Sequence, residues 1–505
     1  MQTVYDELPY PGEPFSQTHP DRLATLATFF GMTPASVESC RVLELGCGDG
    51  ANLIPMAFAL PEGRFRGIDL AGSAIIRGQE LIQKLHLENI RLQHLDVMTV
   101  DSDFGEFDYI IAHGLYSWVP PQVREKILEI CRSHLAANGV AFISYNAYPG
   151  GHLNDTIREM VRFHTRNTTG VRERLKQARE LLELLVEAHP ENNVDGLLLR
   201  QELKSFRERK PEYFYHDEMS EHNHRFYFHE FVEQVTRHGL QYLSEIRLLN
   251  MQVDVHTPEI SDKIRAFTQD DELAREQYLD FLKLRSFRQT LVCHSEVPLD
   301  RKIDPERITH MSAASDAQPS SPEPDIRSTL PLEFKYPSGG SMSTNHPLAK
   351  CAMLHLGRTW PQAVPFPELL REARALSGRD ASSPPTPAGE DRSWLSDMVL
   401  KLYAANFLEL HVHAPVFTGR ASERPVASEL ARAQVQRGPS VANLRHGSIQ
   451  VEDDVARELL GLLDGTRDRA QVLMELRRRS NSSEITAEKV DSNLDRLAKM
   501  ALLVA

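Results

Sequence analysis

Between residues 41 and 148 the chain alternates short apolar runs with polar-faced stretches long enough to form helices. The apolar runs read RVLELG, FRGIDL, IRLQHLDV, FDYIIAH and GVAFISYN. Strands that are apolar along most of their length and that alternate with helices are typical of a parallel sheet covered on both faces. The pattern therefore predicts an α/β domain with a parallel sheet, which we place in residues 1–165.

The pattern changes after this domain. Leucines recur at helical spacing in RERLKQARELLELLVEA, which predicts an amphipathic helix within a mixed, partly helical region over 166–300. The segment MSAASDAQPSSPEPD, at 311–325, is rich in Ser, Ala and Pro, so we expect an exposed connector inside a linker over 301–345. A second break of this kind, SGRDASSPPTPAGEDR, covers 377–392.

The last third of the chain predicts two related small units, at 346–415 and 416–505. In each, helical stretches lead to a final helix that runs into a short apolar strand, FLELHVH in the first and ALLVA in the second. This order is typical of winged-helix units. Such units often bind DNA, but the helices here are not conspicuously basic, which favours contact with protein or internal packing.

Composition narrows the function classes. The net charge of -14 argues against general affinity for nucleic acid or anionic membrane, because both favour a basic surface. The start of the chain lacks a signal-peptide pattern, and no stretch is apolar long enough to span a bilayer, so we expect a cytoplasmic protein without membrane insertion. The five cysteines have no zinc-ligand spacing, and no metal site is predicted.

The sharpest local signal is the run Val42–Gly50, VLELGCGDG, in which an apolar strand breaks into a glycine-rich loop before a helix. Glycines let the backbone turn sharply and approach a ligand closely, and the helix that follows offers free N–H groups. Gly46, Gly48 and Ala51 also fit the dinucleotide pattern G-x-G-x-x-G/A, so an NAD enzyme has to be weighed.

Three acids, one after each of three successive strands, favour S-adenosylmethionine (AdoMet) over NAD. Glu44 ends the first strand, where a carboxylate would attract a ligand ammonium but repel a pyrophosphate. Asp69 and Asp96 follow the next two strands, at positions suited to ribose hydroxyls and to an adenine amino group. Any one of these acids could instead be a helix cap, but all three lie on the carboxyl edge where open α/β sheets bind ligands.

These residues resemble class I AdoMet methyltransferases, which implies a Rossmann-like seven-stranded sheet. Further motifs are similar to a bacterial group that carries a methyltransferase regulatory domain and includes the lysine methyltransferases of outer-membrane proteins. These motifs are Tyr5–Pro11, Gln17–Pro20, His113–Pro120, Ser144–Gly150, Tyr227–Phe231, Phe287–Leu291 and Leu463–Asp468. The cofactor-binding set that we predict comprises Glu44, Gly46, Cys47, Gly48, Gly50, Asn52, Asp69, Leu70, Asp96 and Val97, with Gln17 and His19.

Methyl transfer depends mainly on positioning, and residues just after the fourth and fifth strands would face the methyl group. The predicted catalytic residues are therefore His113, Tyr116, Trp118, Asn146 and Tyr148. Aromatic rings there could stabilise a sulfonium or an ammonium by about 0.5–2 kcal/mol each. The alternative is that the aromatic residues only pack the sheet edge. The chain also departs from the group at Gly151, where a tryptophan is more usual.

The resemblance implies a protein substrate methylated on lysine amines. A small-molecule methyltransferase is the nearest alternative, and a regulatory protein that binds AdoMet without turnover is a third. The sequence leaves a homo-oligomer open. Because every cofactor motif falls within the first 165 residues, we expect a fragment ending near Asp325 to bind AdoMet but not to methylate its acceptor.

Overall fold

The computed structural model describes residue 8 and residues 10–254, 256–337, 339–378, 388–480 and 484–505. Most of the Tyr5–Pro11 motif and the middle of the break at 377–392 lie outside these residues. In the described part, no helix is both long enough and apolar enough to cross a membrane.

A single seven-stranded sheet organises the first 294 residues. Its first part comprises α1 (Pro20–Phe29), β1 (Arg41–Leu45), α2 (Leu53–Ala59), β2 (Arg64–Asp69), α3 (Gly72–Lys84), β3 (Ile90–His94), β4 (Phe107–Ala112), α4 (Pro121–His134) and β5 (Leu135–Asn146). The strand order is β3-β2-β1-β4-β5 followed by two later strands, and these first five strands are parallel. The predicted Rossmann-like sheet is confirmed.

The middle of the chain supplies helices and the last two strands of that sheet. Its elements are α5 (Gly151–Thr165), α6 (Val171–Ala188), α7 (Val194–Glu208), α8 (Pro211–Met219), α9 (Phe228–Arg237), β6 (Leu240–Glu245), α10 (Pro258–Thr268), α11 (Glu272–Lys283) and β7 (Phe287–His294). Strand β7 lies antiparallel between β5 and β6. The predicted boundary at residue 165 is therefore corrected, because the sheet is complete only at residue 294.

Polar residues inside β6 and β7 explain why these strands were missed. Arg288 is fully buried and forms ion pairs with Glu245 (2.7 Å), Asp280 (2.9 Å) and Glu276 (3.1 Å), while Arg285 pairs with Asp280 at 3.0 Å. Burying a charge is costly unless it is paired and hydrogen-bonded. The cluster pairs these charges and ties α11 to the last two strands.

The next part of the chain is more compact than its composition suggested. It contains β8 (Ser312–Ala314), β9 (Gln318–Pro319), β10 (Leu332–Lys335), β11 (Ser341–Thr344), α12 (Pro347–Thr359), β12 (Val364–Pro365), α13 (Phe366–Ser377), α14 (Ala388–Ala404) and β13 (Glu409–His411). Strand β8 is the centre of the sheet β12-β8-β13, and Ala313, Ala314 and Ala317 are buried. The linker predicted over 301–345 is therefore corrected, because residues 312–319 and the strands β10 and β11 belong to a folded unit, and alanine buries without a side-chain entropy cost. Residues 320–331, within and just after the Ser- and Pro-rich connector, lie outside helices and strands and are exposed or half-buried.

The C-terminal unit repeats this connectivity. It contains α15 (Glu429–Val435), β14 (Ser440–Ala442), β15 (Ser448–Gln450), α16 (Asp454–Leu462), α17 (Arg469–Ser480) and α18 (Ala487–Lys499). Val426 forms an antiparallel β-bridge with Asp464, and Ala427 forms one with Leu503. This short segment is therefore the central strand of the unit, just as β8 lies between β12 and β13 in the first unit. In both units a hairpin and then three helices follow the central strand, and the C-terminal unit has one additional helix, α15, before its hairpin. The two units thus share one plan, and the first begins near residue 312 rather than 346.

The buried ion cluster generates a stability prediction. Arg288→Met should lower the free energy of unfolding by about 3–5 kcal/mol, because it leaves Glu245, Glu276 and Asp280 without their common cation. Urea unfolding followed by circular dichroism measures this. Arg265→Met, which breaks exposed ion pairs, is the control and should cost less than about 1 kcal/mol. Equal effects of the two substitutions would contradict the proposed role of the cluster.

Candidate active site

The glycine-rich loop after β1 turns on backbone angles that only glycine adopts easily. Gly46, Gly48 and Gly50 have φ of +74°, +55° and +74°. A Cβ on Gly50 would lie 2.7 Å from a methyl group of Leu92, whereas a Cβ on Gly48 would meet no described atom within 4 Å. The loop is therefore packed beneath Gly50 and open at Gly48, which leaves room for a ligand against the backbone.

The side chain of Cys47 faces away from that open space. A Cβ added to Gly67 of β2 would lie 2.7 Å from the Cys47 sulfur, and burial raises the pKa of the thiol well above its usual value. The backbone N–H of Cys47 donates to the carbonyl of Ile68 at 3.1 Å. The side chain of Cys47 therefore packs the loop onto β2, and a cofactor contact by this residue stays a prediction for its backbone alone.

Glu44 is the one acid of the three that is almost completely buried, at 4% exposure. Its Oε1 accepts a hydrogen bond from Asn52 Nδ2 at 2.8 Å, and its Oε2 has no partner among the described residues. Burial raises the pKa of this carboxyl group to about 8. A buried oxygen without a donor is costly, so the site fits a ligand that brings an ammonium group to it.

Asn52 is surrounded by protein partners. Its Oδ1 accepts from the backbone N–H of Phe15 (2.9 Å) and from His446 Nε2 (2.9 Å). Its Nδ2 donates to Glu44 and to Thr18 Oγ1 (3.0 Å). A carboxamide has two donors and two acceptor sites, so its capacity is used up. The predicted direct contact with the cofactor is therefore corrected: Asn52 positions Glu44.

The other two acids are anchored at the ends of β2 and β3. Asp69 accepts from the N–H of Gly48 (2.8 Å) and from that of Ala71 (2.7 Å), which links the glycine loop to the start of α3. Asp96 accepts from the N–H of Met98 (2.9 Å) and caps a short 3-10 helix. Asp96 is therefore a helix cap, which was the alternative interpretation of these acids. A carboxylate oxygen can accept more than one hydrogen bond, so these backbone contacts do not exclude a ligand.

Apolar side chains stand next to these acids. Leu70 follows Asp69 and is 49% exposed, an unusual state for a leucine at the end of a buried strand. Val97 follows Asp96 and is half-buried. Together they offer apolar surface beside two carboxylates. A ligand that carries a flat heterocycle and a sugar with hydroxyl groups requires this combination.

The N-terminal segment closes the site from the other side. Thr18 is buried against Asn52, and Gln17 and His19 are half-buried next to it. His19 Nδ1 accepts from the N–H of Asp21 at 3.2 Å and so caps α1. Its ring centroid lies 5.1 Å from that of His446, and burial lowers the pKa of His19 to about 4. Both histidine rings therefore meet without mutual charge repulsion near neutral pH.

His113 directly follows β4 and is held as a neutral ring. Its Nδ1 lies 2.8 Å from Ser144 Oγ, and its ring packs edge-on against Phe15 at 4.2 Å between centroids. Burial lowers its pKa to about 4. His113 can therefore shape the pocket and exchange hydrogen bonds, but it carries no positive charge at neutral pH.

Tyr116 does not face the acceptor side. It is fully buried, its hydroxyl donates to Gln234 Oε1 at 2.7 Å, and its ring packs against Phe226 and Phe231. The short 3-10 helix Tyr116–Trp118 turns Tyr116 inward and leaves Trp118 half-buried. The predicted catalytic role of Tyr116 is therefore wrong, and the packing alternative holds for it.

Asn146 and Tyr148 do stand at the carboxyl end of β5. Asn146 Nδ2 donates to Asn223 Oδ1 at 2.8 Å. Tyr148 donates its hydroxyl to Asp155 at 2.9 Å, stacks on His152 at 4.0 Å and lies 5.3 Å from Tyr227. We call Tyr148, His152 and Tyr227 the aromatic cluster.

The supports of this cluster carried little sequence signal. Arg225 donates to Asp155 at 2.8 Å and fixes the carboxylate that receives the Tyr148 hydroxyl. A Cβ on Gly151 would lie 2.3 Å from Arg225 Cδ, so the glycine at this unusual position leaves space for the arginine. Of the residues around this site, Tyr227 fell in a motif quoted above. Sequence reasoning did not identify four others, because isolated polar residues show no periodicity: His152, Asp155, Asn223 and Arg225.

Three family descriptions match the chain in order. They are "Methyltransferase domain" over residues 42–139, "Predicted methyltransferase regulatory domain" over 210–294 and "PKMT, C-terminal winged helix domain" over 423–503. In the described residues no group of three His, Cys, Asp or Glu side chains could hold a metal ion. Fold and site together define a class I methyltransferase whose methyl donor is AdoMet.

Similar proteins cover nearly the whole chain. The uncharacterized protein RP789 of Rickettsia prowazekii is 31% identical over 97% of this chain and 88% of its own length, and RP028 of the same organism is 37% identical over 46% and 94%. The structure of PKMT2 from Rickettsia typhi in complex with AdoHcy superposes with a TM-score of 0.87 at 28% identity, covering 98% of this chain and 100% of that one. The chain belongs to this family of AdoMet-dependent methyltransferases with regulatory and PKMT winged-helix domains.

The raised pKa of Glu44 generates a prediction about cofactor affinity. Without ligand the carboxyl group is protonated below about pH 8, and an ammonium next to it favours the carboxylate, so binding releases a proton. The dissociation constant for AdoHcy should therefore fall as the pH rises from 6 to 8, by up to about tenfold per pH unit.

Calorimetry in buffers of different ionisation enthalpy measures both the affinity and the proton released. Glu44→Gln should weaken binding and flatten the profile, whereas the control Glu88→Gln, at an exposed position, should leave it unchanged. A profile that keeps its slope in Glu44→Gln would remove Glu44 from the ammonium site.

Proposed function

We propose that this methyltransferase modifies lysine amines of a protein acceptor, and that the aromatic cluster receives the amine. The observation that carries the proposal is that Tyr148, His152 and Tyr227 form a partly exposed group of rings at the carboxyl end of β5. The similarity to PKMT2 over 98% of the chain supports it, as does the match to the PKMT winged-helix domain.

For the cofactor we propose one role for each carboxylate. Glu44 Oε2 would accept from the amino group of the methionine part, since this buried oxygen has no hydrogen-bond partner in the described part of the chain. Asp69 would accept from the ribose hydroxyls, and Asp96 from the adenine amino group between Leu70 and Val97. The open backbone at Gly48 allows close approach. These roles follow from position along the sheet edge and from hydrogen-bonding capacity.

For the acceptor we propose that rings desolvate the amine. A lysine nitrogen must lose its proton before it can attack, and removal from water favours the neutral form. In the transfer an N–C bond forms as the methyl C–S bond breaks, so the sulfonium charge passes to the amine, where π faces stabilise it. Trp118 and Asn146 would orient the nucleophile, and Tyr148 is held in place by Asp155.

The surface next to the cluster suits a polypeptide better than a small molecule. Phe281 is 44% exposed at 6.3 Å from Tyr227, and Phe287 is 42% exposed at 6.5 Å from His113, centroid to centroid. Exposed aromatic side chains beside a site commonly mark a protein contact surface. These two exposed rings, one beside Tyr227 and one beside His113, favour a polypeptide acceptor over a small molecule.

Tyr148→Phe and Tyr116→Phe form a matched pair that tests the acceptor site. Tyr148→Phe should lower kcat about 10- to 100-fold with unchanged AdoHcy affinity, because the ring loses its anchor on Asp155. Tyr116→Phe should leave kcat within about twofold and cost about 1–3 kcal/mol of stability, because Gln234 loses a buried partner. Equal kinetic effects of both substitutions would contradict the assignment.

The acceptor class is tested by incubating the protein with methyl-labelled AdoMet and separate protein and small-molecule fractions of a bacterial lysate. We expect label in the protein fraction, on lysine residues identified by mass spectrometry. Label confined to the small-molecule fraction would favour the small-molecule alternative, and no label in either fraction would favour an AdoMet-binding regulator.

A further inference from the structure

We propose that His446, at the tip of the β14–β15 hairpin, is a positioning residue of the cofactor site. The C-terminal winged-helix unit would then complete the AdoMet pocket through a residue that lies 394 positions after Asn52 in the sequence. This inference uses AdoMet binding alone and is independent of which acceptor is methylated.

The tip of the hairpin is built to present this side chain. Asn443 Oδ1 accepts from the N–H groups of Arg445 (3.1 Å) and Gly447 (2.7 Å), and its Nδ2 donates to the carbonyl of Met500 at 3.0 Å. These bonds hold His446 at φ +56°, a backbone conformation that residues other than glycine rarely adopt. Such strain persists only where surrounding contacts fix it, and it often marks a functional position.

His446 is buried, and its Nε2 lies 2.9 Å from Asn52 Oδ1. Because the Asn52 amide nitrogen already donates to Glu44 and to Thr18, its oxygen must be the acceptor, so His446 donates from Nε2. The bond fixes the orientation of the carboxamide. That orientation keeps Glu44 Oε1 engaged and leaves Oε2 for the ligand ammonium.

A second set of contacts braces the same hairpin against the first winged-helix unit. The Arg445 guanidinium lies 4.0 Å from the ring centroid of Trp360 and pairs with Glu409 in β13. From the same strand, His411 contacts Asp21 of α1 at 2.8 Å. The hairpin thus lies between the first winged-helix unit and the methyltransferase domain at Asn52, so both C-terminal units position His446.

This geometry changes the expectation for a truncated chain. A fragment ending near Asp325 retains all the sequence motifs of the cofactor site but lacks His446. Asn52 would lose one of its two N–H donors, and the pocket would open towards the N-terminal segment at Thr18 and His19. Weakened AdoMet binding is now expected for such a fragment, in place of the retained binding that the motifs alone predicted.

The test compares His446→Phe, His446→Gln and His446→Ala in the full chain, with AdoHcy as the probe and calorimetry as the measurement. Phenylalanine keeps a ring but has no donor, whereas glutamine restores an N–H at a similar reach. We expect Phe and Ala to raise the Kd for AdoHcy at least tenfold. Glutamine should return this Kd to within threefold of the original protein, because it restores the donor to Asn52.

Gln450→Ala, at the exposed end of the same hairpin, is the control and should bind normally. Thermal unfolding of every variant separates loss of the donor from loss of the fold. If His446→Ala does not fold, the Phe and Gln pair decides alone. Normal affinity in His446→Phe, or equal losses in the Phe and Gln variants, would overturn the proposal.

Discussion

The cofactor site depends on one hydrogen-bonded carboxamide. Asn52 receives N–H groups from Phe15 and His446 on its oxygen and donates to Glu44 and Thr18 from its nitrogen. A buried amide with all its bonds made is stable in one orientation only, because a flip would set donors against donors. Three distant parts of the chain therefore meet at this group, and the carboxylate that faces the ligand takes its position from it.

The sequence predicted the parts of the site that follow from local backbone order. The glycine loop and the three acids occur at strand ends, where periodicity and spacing are informative, and the structure keeps Glu44 and Asp69 at the sheet edge. Side-chain direction was less predictable. Tyr116 turns into the core and Cys47 packs against β2. In a short turn the backbone conformation of one or two residues decides which way each side chain points, and the sequence pattern does not reveal that conformation.

Long-range contacts account for most of what was missed. Arg288 and Glu245 interrupt the apolar pattern of two buried strands, and the residues that neutralise them are not adjacent in sequence. Alanine-rich β8 looked like a linker for the opposite reason: its residues bury well but carry no hydrophobic signature. His446 had no motif at all. Its role is visible only once the hairpin is docked on the sheet, and it makes the winged-helix unit part of the cofactor-binding machinery.

The most direct test of a jointly built site is amide hydrogen exchange of the full chain with and without saturating AdoHcy. The account predicts slower exchange in the ligand-bound state at residues 46–52 and also at 15–19 and 443–447, because ligand binding to Glu44 stabilises the network through Asn52. Protection confined to the glycine loop and the segments after β2 and β3, with 443–447 unchanged, would contradict it.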